Sequence, residues 1–439
     1  MKIGIFTPIH KANSEHFKFL CESIAKQTRK PDCWAIVANG ELNNQKGLEW
    51  ILSIIKDFPE IDFVMLTKSD SSSIGELKGK ACNVLLNMDC DLLVEVDYDD
   101  YLRFDAILQL EAVVQNSSAS FFYSDFAHFE FTELGVTSLH YDSGYGWKSS
   151  LIMEEAICSY PLNAMHAFPA TPQYLARIES SPNHLRAFTA KGYKEVGGYN
   201  PLLEVGDDHE LICRFFMQYG ASGFHHIKEC LYFQRTGGTT TNKKNAEIQA
   251  QVFRNYCKYM EPMFKLWAGE RALIQVDLGG RFNSPEGYLS VDLLDADLVF
   301  DLNKKWELPT NGVGVIRAYH VIEHLDDPIH FFNEAYRVLA PGGLLLIEVP
   351  SINHPSAFAD PTHKTFWSTE NFRYYTDEQK ARFIRPQYKG AFLPLRVEEY
   401  NWSDGTIVVT AQLLALKGKY NNSWWGNKKT DEKYIQHGY

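Results

Sequence analysis

The stretch from Leu92 to Asp100 reads Leu-Leu-Val-Glu-Val-Asp-Tyr-Asp-Asp, an apolar run that ends in carboxylates. In a strand, successive side chains alternate between faces, so Asp97 and Asp99 are expected on one side of a strand end. Two carboxylates so placed offer hard oxygen ligands to Mg²⁺ or Mn²⁺, with substrate phosphates completing the shell. The same residues also fit a solvated acidic turn. A second acidic stretch, Gly206-Asp207-Asp208-His209-Glu210-Leu211, precedes Ile212, Phe215, Phe216 and Tyr219. Asp207 and Glu210 stand three apart, as in a capping box at the start of an amphipathic helix. That reading leaves Asp208, in the first turn, free to face a cleft.

The elements that must position these groups read as an alternation. Ile3 to Phe6 is a strand running into a loop at Thr7-Pro8, and Trp34 to Ala38 is a strand stopped by Asn39-Gly40. Asp62 to Leu66 is a third strand. Between them, Phe17, Leu20, Cys21 and Ile24 have helical spacing, as do Leu48 to Ile55 and Ile74 to Leu86. Such an alternation predicts a parallel α/β sheet with its ligands at the carboxyl ends of the strands. Thr7, Pro8, Asn39, Asp97 and Asp99 all fall at expected ends.

The chain has 439 residues, more than one ordinary core, so two domains are expected. Its net charge of −12 argues against a broad nucleic-acid surface, and a phosphate ligand then needs a cation or a local basic patch. No apolar run reaches the roughly 18 residues of a membrane span. The first residues go straight into a strand, which reads as a chain without a signal peptide. The eight cysteines form no C-x-x-C pair and all lie before residue 260, as expected for reduced thiols in a cytoplasmic protein.

Phe6-Thr7-Pro8, Ser23-Ile24 with Gln27-Thr28 and Pro31, Val37 with Asn39-Gly40, Ala81 with Asn83, and Asp97-Tyr98-Asp99-Asp100 follow one another in order. Tyr123-Ser124-Asp125, His184 to Phe188, Val196 to Tyr199, Gly206 to Leu211, Leu231-Tyr232 and Arg235 continue the series. Together they resemble glycosyltransferase family 2, with its GT-A fold. The resemblance implies a nucleotide-sugar donor lying across the strand ends, near Thr7, Pro8, Asn39, Lys80, Asp97, His184 and Arg186. It implies a Mn²⁺ or Mg²⁺ ion on Asp99, shared with Asp97. It makes Asp208 the general base that deprotonates the hydroxyl of a glycan or lipid-linked glycan acceptor, with inversion at the anomeric carbon. Ala38 stands where the family usually has an Asp that reads the base. Cys82 stands where it often has an Arg, with Lys80 nearby. His225-His226 could add a metal ligand. An aromatic-rich stretch with Tyr141, Tyr145, Trp147, Met165 and Phe168 reads either as a sugar platform or as core.

A second alternation begins after a helix over Glu247 to Tyr259 and a short connection at Trp267 to Glu270. Strands are expected at Ala272 to Leu278, Tyr288 to Leu293, Leu298 to Phe300, Val313 to Tyr319 and Leu344 to Val349. A helix started by Asp327-Pro328, with Phe331, Phe332, Ala335, Val338 and Leu339 inward, is expected to stop at Pro341-Gly342-Gly343. Leu395 to Tyr400 and Ile407 to Leu416 would form a final antiparallel pair. Asp277-x-Gly279-Gly280, Asp292, Asp301, His320 to His324, Arg337 to Gly343 and Asp360 to Lys364 resemble a class I S-adenosylmethionine-dependent methyltransferase. The resemblance implies cofactor contacts at Asp277, Gly279, Gly280, Asp292, Asp301 and His320, with His324 and His363 as candidate bases for methyl transfer. The expected organisation is two Rossmann-like α/β domains. Residues 1–262 would be a GT-A domain, 270–418 a methyltransferase-like domain that methylates the glycan or serves as a non-catalytic scaffold, and 419–439 a tail.

Overall fold

The structure is a computed structural model that describes residues 1–70, 73–132, 135–138, 148–177, 180–236 and 241–418. Tyr141, Tyr145, Trp147 and the tail from Lys419 lie outside the described residues. The chain divides into two compact units at Met263/Phe264. Each is built on its own sheet, so the fold class is α/β with two Rossmann-like sheets.

In the first unit the strands are β1 (Ile3–Ile9), β2 (Cys33–Ala38), β3 (Val64–Lys68), β4 (Leu92–Glu95), β5 (Tyr101–Leu102), β6 (Phe121–Thr132), β7 (Gly135–Ser138), β8 (Ser149–Ile152), β9 (Leu162–Met165), β10 (Arg186–Thr189) and β11 (Phe224–Arg235). The sheet order is β3-β2-β1-β4-β10-β6-β11-β5. The first four strands are parallel, and β10 runs antiparallel between β4 and β6. β1, β2 and β4 are buried along their whole length. That is why they read as continuous apolar runs: helices cover both faces of a parallel sheet. The helices are α1 (Ser14–Ala25), α2 (Gln45–Ile55), α3 (Ile74–Asn87), α4 (Ala106–Gln115), α5 (Pro172–Leu175), α6 (Ala190–Glu195), α7 (Asp207–Tyr219) and α8 (Thr241–Gly269). α1 buries Phe17, Leu20, Cys21 and Ile24, and the Asn13 side chain caps it by accepting from the His16 N–H.

Among the boundaries that differ from expectation, three change how the sequence is read. β1 runs on through Thr7 and Pro8 to Ile9, where these residues are buried and stay paired with β2 after the ladder with β4 has ended at Phe6. β4 stops at Glu95, and Asp97 to Asp100 form a turn in which the Asp100 N–H donates to the Asp97 carbonyl at 3.3 Å. The alternation rule therefore does not govern Asp97 and Asp99. α8 continues past Pro262 through Trp267 to Gly269, where a connection was expected.

The second unit has β12 (Ile274–Leu278), β13 (Leu289–Asp292), β14 (Leu298–Val299), β15 (Val313–Tyr319), β16 (Leu339–Pro350), β17 (Phe392–Asn401) and β18 (Ile407–Ala415), in the order β14-β13-β12-β15-β16-β18-β17. The first five are parallel, and β18 is antiparallel to both its neighbours. The helices α9 (Pro328–Val338), α10 (Ser356–Ala359), α11 (Thr369–Thr376) and α12 (Glu378–Ala381) all follow β15. α9 starts with Asp327 as its cap and Pro328 in its first turn, and it buries Phe331, Phe332, Ala335 and Val338. Pro341-Gly342-Gly343 lies inside β16, where the register against β15 slips, rather than just past the helix. The connections from β12 to β13 and from β13 to β14 contain no helix. No helix among the described residues is long and apolar enough to cross a membrane.

Candidate functional site

The acidic turn after β4 is stapled to the end of β11. Tyr232 Oη accepts from the Asp97 N–H at 3.1 Å and donates to Asp100 Oδ2 at 2.7 Å, while the Arg235 N–H donates to Asp100 Oδ1 at 2.7 Å. Burial and the neighbouring Asp97 charge push the Asp99 carboxyl up to about 6. Burial, with Asp99 and Asp97 beside it, pushes Asp100 up as well. The turn thus gathers more negative charge than its surroundings offset. A divalent cation held by Asp97 and Asp99 would relieve that excess, so the residues present fit the metal that the resemblance implies. Bound there, it would supply counter-charge to a diphosphate leaving group.

Behind the turn lies a buried ion network. Glu95, the last residue of β4, has no exposure. It takes Lys78 Nζ at 2.7 Å, Arg186 Nε at 2.9 Å, Arg186 Nη2 at 3.2 Å and the Tyr199 hydroxyl at 3.0 Å. Lys78 also reaches Asp207 at 2.9 Å. Arg186 goes on to Asp208 through Nη1 and to His184 Nε2 at 2.6 Å, and His184 Nε2 stands 3.7 Å from Asp97 Oδ2. Glu95, Asp97 and His184 could together hold a metal by distance. With Lys78 and Arg186 already on Glu95, a second cation there meets two fixed positive charges.

Four expectations change at this point. Arg186 is buried and committed to protein carboxylates, so it is not a free ligand for the donor. Asp208 is 21% exposed, and although burial alone would raise it, Arg186 and Lys78 hold its carboxyl down to about 2. Asp207 and Glu210 do not cap α7. The N-cap is Gly206 at φ +64, Asp207 faces Lys78, and Glu210 pairs with Arg214 at 2.7 Å and accepts from Tyr259 at 2.7 Å. Thr7 donates to the Val96 carbonyl at 2.8 Å and accepts from Trp34 Nε1 at 3.0 Å, so its hydroxyl supports the sheet and Pro8 is buried beside it.

Asn39 does follow a strand end, its N–H donating to Ile9 O at 2.8 Å. Lys80 reaches Ser69 Oγ at 2.8 Å and Glu76 at 2.9 Å, half-exposed on α3. His226 pairs with Asp125 at 2.6 Å and His225 with Ser117 at 3.2 Å, and neither belongs to the metal-ligand groups found among the described residues. Met165 is core, and Phe168 stacks on Tyr174 at 4.8 Å. Lys78 and Glu95 were missed by sequence reasoning. Their signal was present: Glu95 interrupts the apolar β4, and Lys78 lies on the α3 stripe with Ala81, Cys82 and Leu85.

In the second unit Gly279, Asp292, Asp301 and His320 stand at or just past the carboxyl ends of β12, β13, β14 and β15. Asp277 is buried and spent on Ser284 at 2.9 Å and Arg317 at 2.9 Å, so it shapes the turn instead of offering itself to a cofactor. A Cβ on Gly280 would lie 2.2 Å from Asp277 Oδ2, and Gly279 has φ +75 with Val321 against it, so packing alone requires this glycine pair. Arg281 turns away to pair with Asp295. Asp292 and Asp301 are partly exposed at neighbouring strand ends, where carboxylates could meet a ribose diol and an adenine if S-adenosylmethionine were bound. No helix N-terminus follows the glycine turn to join them. The carboxylates of Glu323 and Glu348 push His320 up to about 9.

Comparison with known proteins adds the following. A family model described as "Methyltransferase domain" matches residues 185–389, beginning inside the first unit and ending just before β17. A protein of Mycolicibacterium smegmatis described as a probable S-adenosylmethionine-dependent methyltransferase is 46% identical over 44 residues, 10% of this chain and 17% of that protein. The chain therefore matches less than a fifth of that relative. Among solved structures, S. aureus TarS 1-349 in complex with UDP-GlcNAc is similar with a TM-score of 0.42 at 12% identity, covering 62% of this chain and 72% of that one. The mannosyltransferase PcManGT from Pyrobaculum calidifontis, in complex with GDP-Man and Mn2+, has a TM-score of 0.37 at 12% identity, covering 60% and 69%.

Proposed function

We propose that the first unit is an inverting glycosyltransferase that moves a sugar from a nucleotide-sugar to a hydroxyl of a glycan or lipid-linked glycan. In this reading a divalent ion on Asp97 and Asp99 takes the leaving diphosphate, and Asp208 is the general base. The observation that carries it is the path His184–Arg186–Asp208, which leads from within 3.7 Å of Asp97 in the acidic turn to the α7 carboxylate. In the free protein Arg186 makes Asp208 a weak base. An anionic diphosphate beside the chain would offset the Arg186 charge and raise the basicity of Asp208 as the donor binds. The test is donor hydrolysis and transfer across a set of nucleotide-sugars with and without Mn²⁺. Asp99→Asn should lose Mn²⁺-dependent donor binding. Asp208→Asn should keep donor affinity while transfer falls by roughly 10²-fold or more. Collapse of donor affinity in Asp208→Asn would move the base elsewhere.

For the second unit we propose S-adenosylmethionine-dependent methylation of a hydroxyl on the same glycan. Asp292 and Asp301 at adjacent strand ends support it. The helix-free β12–β13 connection and the committed Asp277 favour a second reading, in which this unit binds the acceptor without catalysing methyl transfer.

A further inference from the structure

Glu323 and His324 lie on the single turn after β15, and His363 comes from the segment between α10 and α11. The two segments are pinned together where the Lys364 and Thr365 N–H groups donate to the Glu323 carbonyl at 2.8 and 3.0 Å. Glu323, His324 and His363 bring one ligand atom each within 4.8 Å of one another. The Glu323 side chain is 2% exposed, and neither carboxylate oxygen has a hydrogen-bond partner. His320 Nδ1 stands 3.7 Å from Oε1 in a long ion pair without a hydrogen bond, and its other ring nitrogen is on Glu348 at 3.1 Å, so it is a distant counter-charge shared between two carboxylates. A carboxylate buried in this way is costly unless a cation completes it.

The neighbouring hydrogen bonds assign the two imidazoles. His363 Nδ1 lies 2.8 Å from the Ala357 carbonyl, which can only accept, so Nδ1 carries the proton and Nε2 the lone pair. His324 Nδ1 lies 2.9 Å from Thr362 Oγ1, whose own hydrogen goes to Asp360 Oδ1 at 2.6 Å. His324 therefore also donates from Nδ1 and keeps its lone pair on Nε2. Both rings are held in the tautomer of a metal ligand, one of them by a Thr362–Asp360 relay of the kind that orients ligating histidines.

We propose that Glu323, His324 and His363 form a divalent metal site with two nitrogen donors and one carboxylate. This donor set suits Zn²⁺, Mn²⁺, Co²⁺ or Fe²⁺ better than Mg²⁺ or Ca²⁺, and three protein ligands leave positions open to water or a substrate oxygen. Ligand atoms around such an ion stand roughly 3–4 Å apart, so the three groups close in by about an ångström when it binds. With Nε2 on a metal, neither histidine serves as a proton acceptor for methyl transfer. The site does not depend on whether the second unit binds S-adenosylmethionine.

The test titrates chelator-stripped full-length protein with Co²⁺, reading its visible d–d absorption, and then displaces it with Zn²⁺. A band that is lost in His363→Ala and in Glu323→Gln but kept in Asp99→Asn is the expected result. Thermal melts check folding, and His363→Ala, on a surface segment, serves if the Glu323 variant fails to fold. A band that persists in His363→Ala, or no Co²⁺ absorption in the wild type, overturns the proposal.

Discussion

Asp99 carries a carboxyl whose folded value, about 6, lies above its ordinary one near 3.8. The folded state therefore binds the extra proton between those values, and its stability falls as pH rises from about 4 through 6. Without metal, Asp99→Asn should stabilise the protein at pH 7.5 by about 1–2 kcal/mol and give no gain at pH 4, read by thermal melts in chelator. Added Mn²⁺ should stabilise the wild type and not the variant, reversing the order. His320 behaves oppositely. Its raised value means stability that is present in full below about 6.5 and lost as pH rises through about 9. It is partly exposed and held at φ +54, a conformation asparagine tolerates. His320→Asn should cost about 1 kcal/mol at pH 6, allowing for solvent screening, and nothing measurable at pH 10.

At the scale of elements, Lys78 ties α3 to β4 and α7 through two buried carboxylates. Lys78→Met keeps the stem and removes the charge, leaving Glu95 with Arg186 and the Tyr199 hydroxyl, and Asp207 without its cation. A loss of about 3–5 kcal/mol is expected by denaturant titration, larger than any surface ion pair here would cost. The β1–α1–β2 alternation, the parallel pairing of the first strands and nearly every strand of the second unit were legible in the sequence, because buried strands and helices each impose their own apolar period. The capping box was misread because the same Asp-x-x-Glu spacing also serves two separate ion pairs, and only the fold brings Lys78 and Arg214 to them. Thr7-Pro8 looked like a loop because proline usually breaks a strand. The candidate site was legible only as carboxylates that follow a strand and carboxylates that open a helix. Its internal pairing was not, since Arg186 and Asp208 are joined by tertiary packing alone.

Across the whole chain, the net charge of −12 means that an anionic donor approaches against the overall field. Donor capture should therefore depend strongly on the divalent ion and weaken little with added salt, in contrast to a basic nucleotide-binding surface. S-adenosylmethionine, a cation at its sulfonium, approaches with the field. Isothermal titration of the full-length protein should give S-adenosylmethionine binding that is weakened at least tenfold in Asp292→Ala. No binding at millimolar cofactor would leave the acceptor-binding reading of the second unit in place.

Trp34 is fully buried, and its indole N–H ends on Thr7, whose hydroxyl in turn holds the carbonyl of Val96, one residue before the acidic turn. The protein thus carries its own spectroscopic sensor. A shift of the turn on metal or nucleotide binding would lengthen or shorten that relay, and the indole proton of Trp34 would register it as a change in NMR frequency and solvent-exchange rate, far from any added label.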